Sequence, residues 1–421
     1  MIASVKGTRD LLPPETRVWN RVEAVAREVF ALHAFDEIRT PILEPTDLFV
    51  RTVGESTDIV HKEMYTFTDR GGRSVTLRPE NTAGVARAFV EHGLALGGGV
   101  RKLYYIGPQF RYERPQKGRY REFRQIGAEV LGAADPATDA EVLSMLFDFL
   151  GRLGFEGLTV SLNSLGNEAW RQAVGPFLLN LLDIEGAPQL KLAEDDLRRL
   201  KSNPLRVLDT KDPDLQFFLN SQIIQLREML DQETKDHEEE LCRLLKDVGI
   251  PYAIEARLVR GLDYYTRTVF EVTASGLGAQ DALLGGGRYD RLVSDLGGPK
   301  TPGIGFAIGE DRLVDVLPPA FREEATRGHS AVALVPLDRG DRAAALELAR
   351  KLRTAGIAVD LDPAGKGPGA GLKGAERRGL AVAVLLGERE REAGTVVVKD
   401  LASRTQESVP VDRLAEYLKE S

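Results

Sequence analysis

Apolar residues recur along the chain with two different periods, and the switch between them marks out its parts. Over residues 15–33, Val18, Val22, Val25, Ala26, Val29 and Phe30 fall three and four residues apart, which puts them on one face of an amphipathic helix. From Asp36 to Pro45 the pattern alternates and then meets Pro41 and Pro45, as at a strand edge. Short runs rich in aromatic and β-branched residues follow at 64–68, 74–78, 101–106, 109–113 and 122–130. Asp69-Arg-Gly-Gly72 between the first two reads as the turn of an antiparallel hairpin. These runs predict an antiparallel sheet with helices packed on it.

Between about 169 and 248 the helical period returns and charge becomes dense, as in Glu194-Asp-Asp-Leu-Arg-Arg-Leu200 and Glu233-Thr-Lys-Asp-His-Glu-Glu-Glu240, the pattern of solvated helix faces. Strand signals resume at 253–258 and 268–273. Sheet on both sides of a helical block predicts one domain, 1–325, interrupted by a helical insertion. Pro318, Pro319 and Gly328 then mark a linker. Beyond it, strand runs at 331–335, 357–361, 380–386 and 395–399, with a helix from about Asp341 to Ala355, predict a second domain over 330–421 with a mostly parallel sheet. The expected fold class is α/β: an α+β first domain built on an antiparallel sheet flanked by helices, then a small α/β domain.

Composition narrows the function classes. With 421 residues, 43% hydrophobic and 29% charged, the chain is neither disordered nor collagenous nor a coiled-coil rod. A net charge of −8 rules out a generally basic nucleic-acid coat, so any contact with nucleic acid needs a local patch. The single cysteine, Cys242, cannot close an intrachain disulfide, and five scattered histidines supply no Cys/His metal spacing; a reducing cytoplasm is expected and no metal ligands are assigned. No run approaches the roughly 20 apolar residues of a membrane span, and the first ten residues lack a secretory signal's apolar stretch.

The local patch exists. Between Arg101 and Arg124 eight basic residues (Arg101, Lys102, Arg111, Arg114, Lys117, Arg119, Arg121, Arg124) stand against Glu113 and Glu122, with Tyr104, Tyr105, Phe110, Tyr112, Tyr120 and Phe123 among them. Guanidinium forks pair bidentately with phosphate oxygens and the aromatic rings offer stacking surfaces, so a polyphosphate or an RNA end suits this segment. A solvated basic hairpin is the alternative that composition leaves open. Elsewhere, Gly303-Ile-Gly-Phe-Ala-Ile-Gly309 lacks the spacing of a dinucleotide loop and reads as close helix-to-sheet packing. Gly365-Lys-Gly-Pro-Gly-Ala-Gly371 lacks the ending of a P-loop, and His61, His92 and Cys242 are too scattered to argue for a dyad.

The order from Gln109 to Gln125, strand, loop rich in Arg, Lys, Pro and Gly, then strand, resembles motif 2 of the class II aminoacyl-tRNA synthetases. Val5-Lys-Gly-Thr-Arg-Asp10, Leu258-Val-Arg-Gly-Leu-Asp-Tyr-Tyr-Thr-Arg267 and Gly303-Ile-Gly-Phe-Ala-Ile-Gly-Glu-Asp-Arg312 extend the likeness. Together they resemble the histidyl-tRNA synthetase family, and the run Arg260 to Tyr265 is similar to a signature of that family and its close relatives. The resemblance spans nearly the whole chain and implies a class II catalytic domain with its helical insertion, followed by an anticodon-binding module.

The resemblance implies ATP-dependent activation of L-histidine, with Mg2+ accompanying ATP, and transfer to the 3′ end of tRNA(His). Arg111 and Arg260 would be catalytic, meeting the α-phosphate from opposite sides, and Arg312 would hold the γ-phosphate of a bent ATP. Glu113, Arg121 and Phe123 complete the implied ATP site. Glu80, Asn81, Thr82 and Gln125 are implied at the histidine α-ammonium end. Glu129 and Tyr264 would face the imidazole, with Tyr265 and Tyr289 as wall. Independently of the family, a buried carboxylate accepting an imidazole N–H rejects isosteres that cannot donate. By residue spacing alone Gln125 and Glu129 share a sheet face, whereas adjacent Tyr264 and Tyr265 may point opposite ways, leaving one in the core. Arg114, Lys117 and Arg119 would meet the tRNA acceptor end, and a homodimer is implied through the first helix and the segment with Pro41. Asp311 stands where the family usually carries Glu, and the glycine-rich stretch 365–374 replaces a more regular helix start, leaving Lys366, Lys373, Arg377 and Arg378 as anticodon candidates. The alternative is a non-catalytic, synthetase-like regulatory subunit of ATP phosphoribosyltransferase in histidine biosynthesis. The Arg260–Tyr265 run and the C-terminal domain argue against it.

Overall fold

Alternating burial organises residues 2–54, 57–114, 118–184, 204–210, 212–275, 282–327, 331–362 and 367–420, which the computed structural model describes. The chain separates into two compact units, 1–322 and 323–421. Strands of the first unit are β1 (Asp36–Glu37), β2 (Leu43–Pro45), β3 (Tyr65–Thr68), β4 (Ser74–Leu77), β5 (Arg101–Phe110), β6 (Glu122–Leu131), β7 (Thr159–Ser164), β8 (Tyr252–Ile254), β9 (Thr266–Thr273), β10 (Ala282–Arg288) and β11 (Gly303–Gly309). Eight of them form one sheet in the order β1-β5-β6-β11-β10-β9-β7-β8. The inner six pair antiparallel and the two edge strands parallel. The hairpin expected around Asp69–Gly72 is β3–β4, which with β2 makes a small antiparallel sheet.

The first helix, Glu15–Leu32, buries the apolar stripe its spacing predicts, with Trp19 added. It packs with helix Pro136–Arg152 on one face of the large sheet, where the Phe30 ring lies 6.1 Å from Phe149 and 6.3 Å from Phe306. Asp135 starts the second of these helices by accepting the Ala137 N–H at 2.8 Å, with Pro136 in the first turn where its missing N–H costs nothing.

Three strand readings change. The runs at 101–106 and 109–113 are one strand ending at Phe110, because Pro108 lies beyond the two residues that β1 pairs and so breaks no ladder on that side. The run 253–258 forms sheet only as far as Ile254. Strands β10 and β11, the centre of the sheet, are built from Leu-Leu-Gly-Gly-Gly-Arg and Gly-Ile-Gly-Phe-Ala-Ile-Gly, whose glycines carry little strand propensity.

Between β7 and β8 the chain forms helices Glu168–Ile184, Pro213–Glu228 and Gln232–Asp247 and a 3₁₀ turn, Pro204–Asp209. The charged run 194–200 lies outside the described residues. Asp212 and Asp231 cap the last two helices. Trp170, Val174, Leu178, Leu215 and Leu219 share a core with Phe89, Tyr105 and Leu131 from the other face of the sheet. A buried hub also holds this block: Asp139 meets His237 at 2.8 Å, Thr268 at 2.8 Å and the Arg288 Nε at 3.0 Å, and all but Thr268 and His237 are fully buried.

In the second unit, β12 (Val332–Pro336), β13 (Val359–Leu361), β14 (Val382–Leu386), β15 (Thr395–Asp400) and β16 (Gln406–Pro410) form a sheet in the order β13-β12-β14-β15-β16. It is mixed and not mostly parallel: β12 pairs parallel with β13 and β14, but short connections turn β15 and β16 antiparallel. Helix Arg342–Thr354 buries Ala345, Leu348, Ala349 and Leu352. Among the described residues no helix is long and apolar enough to cross a membrane.

The hub makes a stability prediction. Asp139→Asn leaves the Arg288 guanidinium buried with its main countercharge gone, so denaturant unfolding should show a loss of about 3 kcal/mol or more. A loss below about 1 kcal/mol would mean that Asp290 alone neutralises Arg288.

Candidate active site

The sheet face opposite the first helix is paved with glycine. Register places Gly127, Gly285, Gly287, Gly305 and Ala307 side by side on it, across β6, β11 and β10. A Cβ at Gly305 would stand 1.7 Å from a Glu129 carboxylate oxygen, one at Gly285 2.4 Å from the Arg260 guanidinium carbon, and one at Gly127 2.3 Å from the Tyr105 ring. The absent side chains are the room those groups occupy. Above this floor lies a cavity of about 320 Å³ lined in part by Glu80, Thr82, Arg111, Gln125, Arg260, Tyr264, Tyr265, Glu271 and Arg312.

Glu80 precedes helix Thr82–Glu91 and turns its carboxylate onto that helix's first N–H groups, those of Thr82 at 2.8 Å and Ala83 at 3.0 Å. Burial nevertheless raises its pKa. Thr82 passes its hydroxyl on to Glu129 at 2.6 Å. Glu129 also accepts from the Tyr289 hydroxyl at 2.5 Å and, at 1% exposure, has its pKa pushed up to about 8 by loss of water. Tyr264 and Tyr265 both line the cavity, their ring centres 4.8 Å apart, and both are also buried in the core beneath it. Tyr289 stands behind them, 5.8 Å from the Tyr264 ring. Gln125 brings to the lining a buried side-chain oxygen that has no hydrogen-bond partner among the described residues.

Three arginines face the same space from three distant segments. Arg111 donates from Nε to the Pro79 carbonyl at 2.8 Å and lies 5.3 Å over the Phe123 ring. Arg260 pairs with Glu271 on β9. Arg312 sits in helix Glu310–Asp315, whose acidic first turn complements the helix dipole. Asp311 accepts from the Arg9 guanidinium at 3.0 Å and the Arg124 backbone N–H at 2.9 Å. Glu310 meets Arg124 Nε at 3.2 Å, and burial raises its pKa to about 8.

The family model described as histidyl-tRNA synthetase matches residues 7–313, and an anticodon binding domain matches 331–421. The chain belongs to the histidyl-tRNA synthetase family. A "Histidine--tRNA ligase" of Koribacter versatilis is 50% identical over 430 residues, covering 100% of this chain and 96% of that one. Another of the same name, from a Cyanothece species, is 48% identical over 96% of this chain and 93% of its own. Among solved structures, the apo histidyl-tRNA synthetase of S. aureus matches with a TM-score of 0.79 at 34% identity over the whole of both chains.

Of the residues that the family resemblance names, the structure gathers Glu80, Thr82, Arg111, Gln125, Arg260, Tyr264, Tyr265 and Arg312 on the cavity wall, with Glu129 and Tyr289 one layer behind. Asn81 is not brought to it: its side-chain oxygen accepts from Thr40 at 2.5 Å and Arg78 at 3.3 Å. Phe123 reaches the site only beneath Arg111. Glu113 lies between Arg111 at 3.9 Å and Arg119 at 3.7 Å, outside the lining. Arg121 stacks 3.7 Å over Tyr112 and donates to the carbonyls of Glu113 and Lys6. Arg114 and Arg119 are exposed, while Lys117 and Lys366 lie outside the described residues. Lys373 and Arg377 lie on helix Pro368–Arg377, and Arg378 is paired with Asp360. Sequence reading missed Ile59, Glu271 and the glycine floor. A lone acid inside the apolar run Thr268-Val-Phe-Glu-Val-Thr273 was the available signal for Glu271.

Glu129 sets a pH dependence whose sign follows from its raised pKa. The folded state holds this proton up to about pH 8 while an unfolded carboxyl loses it near its ordinary value of 4.5, so its contribution to stability is full below 4.5 and is lost as pH rises to 8. Unfolding free energies of Glu129→Gln and the parent, compared at both ends of that window, should differ by on the order of 3 kcal/mol more in the variant's favour at the alkaline end. Parallel pH profiles would show that Thr82 and Tyr289 fully solvate the carboxylate.

Proposed function

We propose that the chain is a histidine–tRNA ligase. It joins the carboxylate of L-histidine to the α-phosphate of ATP, releasing diphosphate, and passes the histidyl group to the 3′ end of tRNA(His), releasing AMP. The observation that carries this reading is the convergence of Arg111, Arg260 and Arg312 on one cavity whose remaining wall is carboxylate, amide and tyrosine.

In-line attack on a phosphate asks chiefly for alignment and charge neutralisation. Arg111 and Arg260 are the catalytic pair at the α-phosphate, each already braced, one over Phe123 and the other by Glu271. Arg312 takes the γ-phosphate, with Glu113 and Arg121 ordering the loop beside the nucleotide. Mg2+ arriving with ATP would be held by the phosphates together with one or two protein carboxylates, and Glu271 is a lining carboxylate that would serve. When bound, the ion shares the neutralisation of phosphate charge.

Glu80, Thr82 and Gln125 hold the α-ammonium; the Gln125 oxygen, without a partner among the described residues, is an acceptor awaiting a donor. Glu129 and Tyr264 take the imidazole. A substrate N–H offered to Glu129 supplies what water no longer can, which favours the ionised carboxylate and ties affinity to donation. Exposed Arg114 and Arg119, with Lys117 between them, meet the acceptor-end phosphates. Two copies pair through helix Glu15–Leu32 and the segment after Pro41, where Ile42 and Leu43 stand 43% and 49% exposed.

Histidine-dependent exchange of labelled pyrophosphate into ATP, without tRNA and with other amino acids as controls, tests the reading. Exchange with histidine alone is expected. Arg260→Ala should lower kcat by two orders of magnitude or so while leaving folding intact, because the interaction is made mainly in the transition state. Folded protein without exchange would transfer the weight to the regulatory-subunit reading.

A further inference from the structure

The loop from Leu258 to Tyr265 carries three of the residues assigned to the substrates, yet none of it belongs to a helix or strand. Its backbone is held from outside. Asn163 on β7 donates to the carbonyls of Ala256 at 3.1 Å and Leu258 at 2.9 Å, and the Asp263 N–H donates to the Val53 carbonyl at 3.2 Å. The rest of the hold comes from the helical insertion. Arg171 in helix Glu168–Ile184 donates from one nitrogen, Nη1, to the carbonyls of both Asp263 and Tyr265, each at 2.8 Å. Arg206 in the 3₁₀ turn donates to the Gly261 carbonyl, and a guanidinium nitrogen lies 3.8 Å from the Asp263 carboxylate. Three alternate carbonyls, 261, 263 and 265, are therefore all taken by insertion guanidiniums, while Arg260, Tyr264 and Tyr265 line the cavity.

Placing Arg171 there has a physical cost. A cation in the first turns of a helix is opposed by the helix dipole, and burial lowers its pKa. A guanidinium placed on carbonyls at such a position offsets that cost only by the bonds it makes. Just past the loop, Arg267 occupies a left-handed conformation at φ 49° in the bulge between β9 and β10, and its guanidinium meets Glu233 of the insertion.

We propose that Arg171 and Arg206 are positioning residues of the insertion: by clamping the carbonyls of Gly261, Asp263 and Tyr265 they fix Arg260, Tyr264 and Tyr265 over the glycine floor, so the insertion sets the affinity for the amino acid. The inference rests on the ligase reading for the roles of those three side chains. It predicts an asymmetric defect, since Arg111 and Arg312 sit on other elements and keep the nucleotide.

The test is full-length Arg171→Ala in histidine-dependent pyrophosphate exchange, with histidine binding followed separately by calorimetry. The KM for histidine should rise about tenfold or more and kcat should fall, the KM for ATP should stay within about twofold, and added guanidinium ion should restore part of the loss. Arg171→Lys should lie between the two. Arg291→Ala, which cuts the exposed bridge from Arg291 to Glu168 at the start of the same helix without touching the loop, should leave exchange unchanged. A folded Arg171→Ala with parental histidine KM overturns the proposal. So does an equal rise in both KM values with no guanidinium rescue, the mark of a general structural role. If that variant does not fold, Arg206→Ala is read by the same criteria. Histidine binding without exchange in the parent would count against the ligase reading alone, whereas a parent that neither binds nor exchanges would overturn both.

Discussion

A sheet can seat charged groups on its own surface only where it gives up side chains, and this sheet does so at its centre. Gly285, Gly287 and Gly305 sit on the two inner strands, within the space of Arg260, Tyr265 and Glu129. Gly303 does the same for Tyr289, whose ring a Cβ there would approach to 2.3 Å. Glu129, proposed to take the imidazole, and Arg260, proposed at the α-phosphate, both depend on that floor. The opposite face compensates in stability, since β11 presents Ile304, Phe306 and Ile308 there and neighbouring β9 adds Phe270, and all four are buried.

The second constraint is electrostatic. Glu80, Glu129 and Glu310 are buried with raised pKa values, and burial is the leading cause in each case. Glu80 is met by helix N–H groups and Glu310 by Arg124, whereas among the described residues the donors to Glu129 are two neutral hydroxyls. That difference separates the two kinds of acid. Helix N–H groups and a guanidinium counter the charge of the first kind, although among the described residues one buried Glu310 oxygen has no hydrogen-bond partner; the second is held by neutral hydroxyls, so a donor brought by the substrate favours its ionised form.

What was legible in the sequence follows the same physics. The helix Glu15–Leu32 declares itself because burial of one face imposes its period. The basic, aromatic segment before Arg124 announces phosphate chemistry because net charge there opposes that of the whole chain. Strands β10 and β11 are silent, since their function is to lack side chains and glycine carries no strand signal. Arg260, Tyr264 and Tyr265 could be named only through family resemblance, because nothing local marks a loop whose shape is imposed by Arg171 and Arg206 from a distant helical block. Glu271 and Asp139 were missed for a related reason: a charge inside a strand or at a helix start acquires meaning only from the partner that the fold brings to it, here Arg260 from the preceding loop and Arg288 from a distant strand.

The shortened acid at 311 shows how such distant partners absorb a local departure. The helix that carries Arg312 begins with two carboxylates, and they pull in different directions: Glu310 to the Arg124 side chain, Asp311 to the Arg124 backbone and to Arg9. Arg9 is itself seated 4.4 Å over Tyr120 in the basic loop, so the amino-terminal segment, β6 and the helix start are closed into one network. An aspartate suffices because the backbone N–H of β6 comes to it at 2.9 Å and the long arm of the contact is supplied by arginine. The start of the helix that carries Arg312 is thereby anchored at both of its carboxylates, the shorter one included.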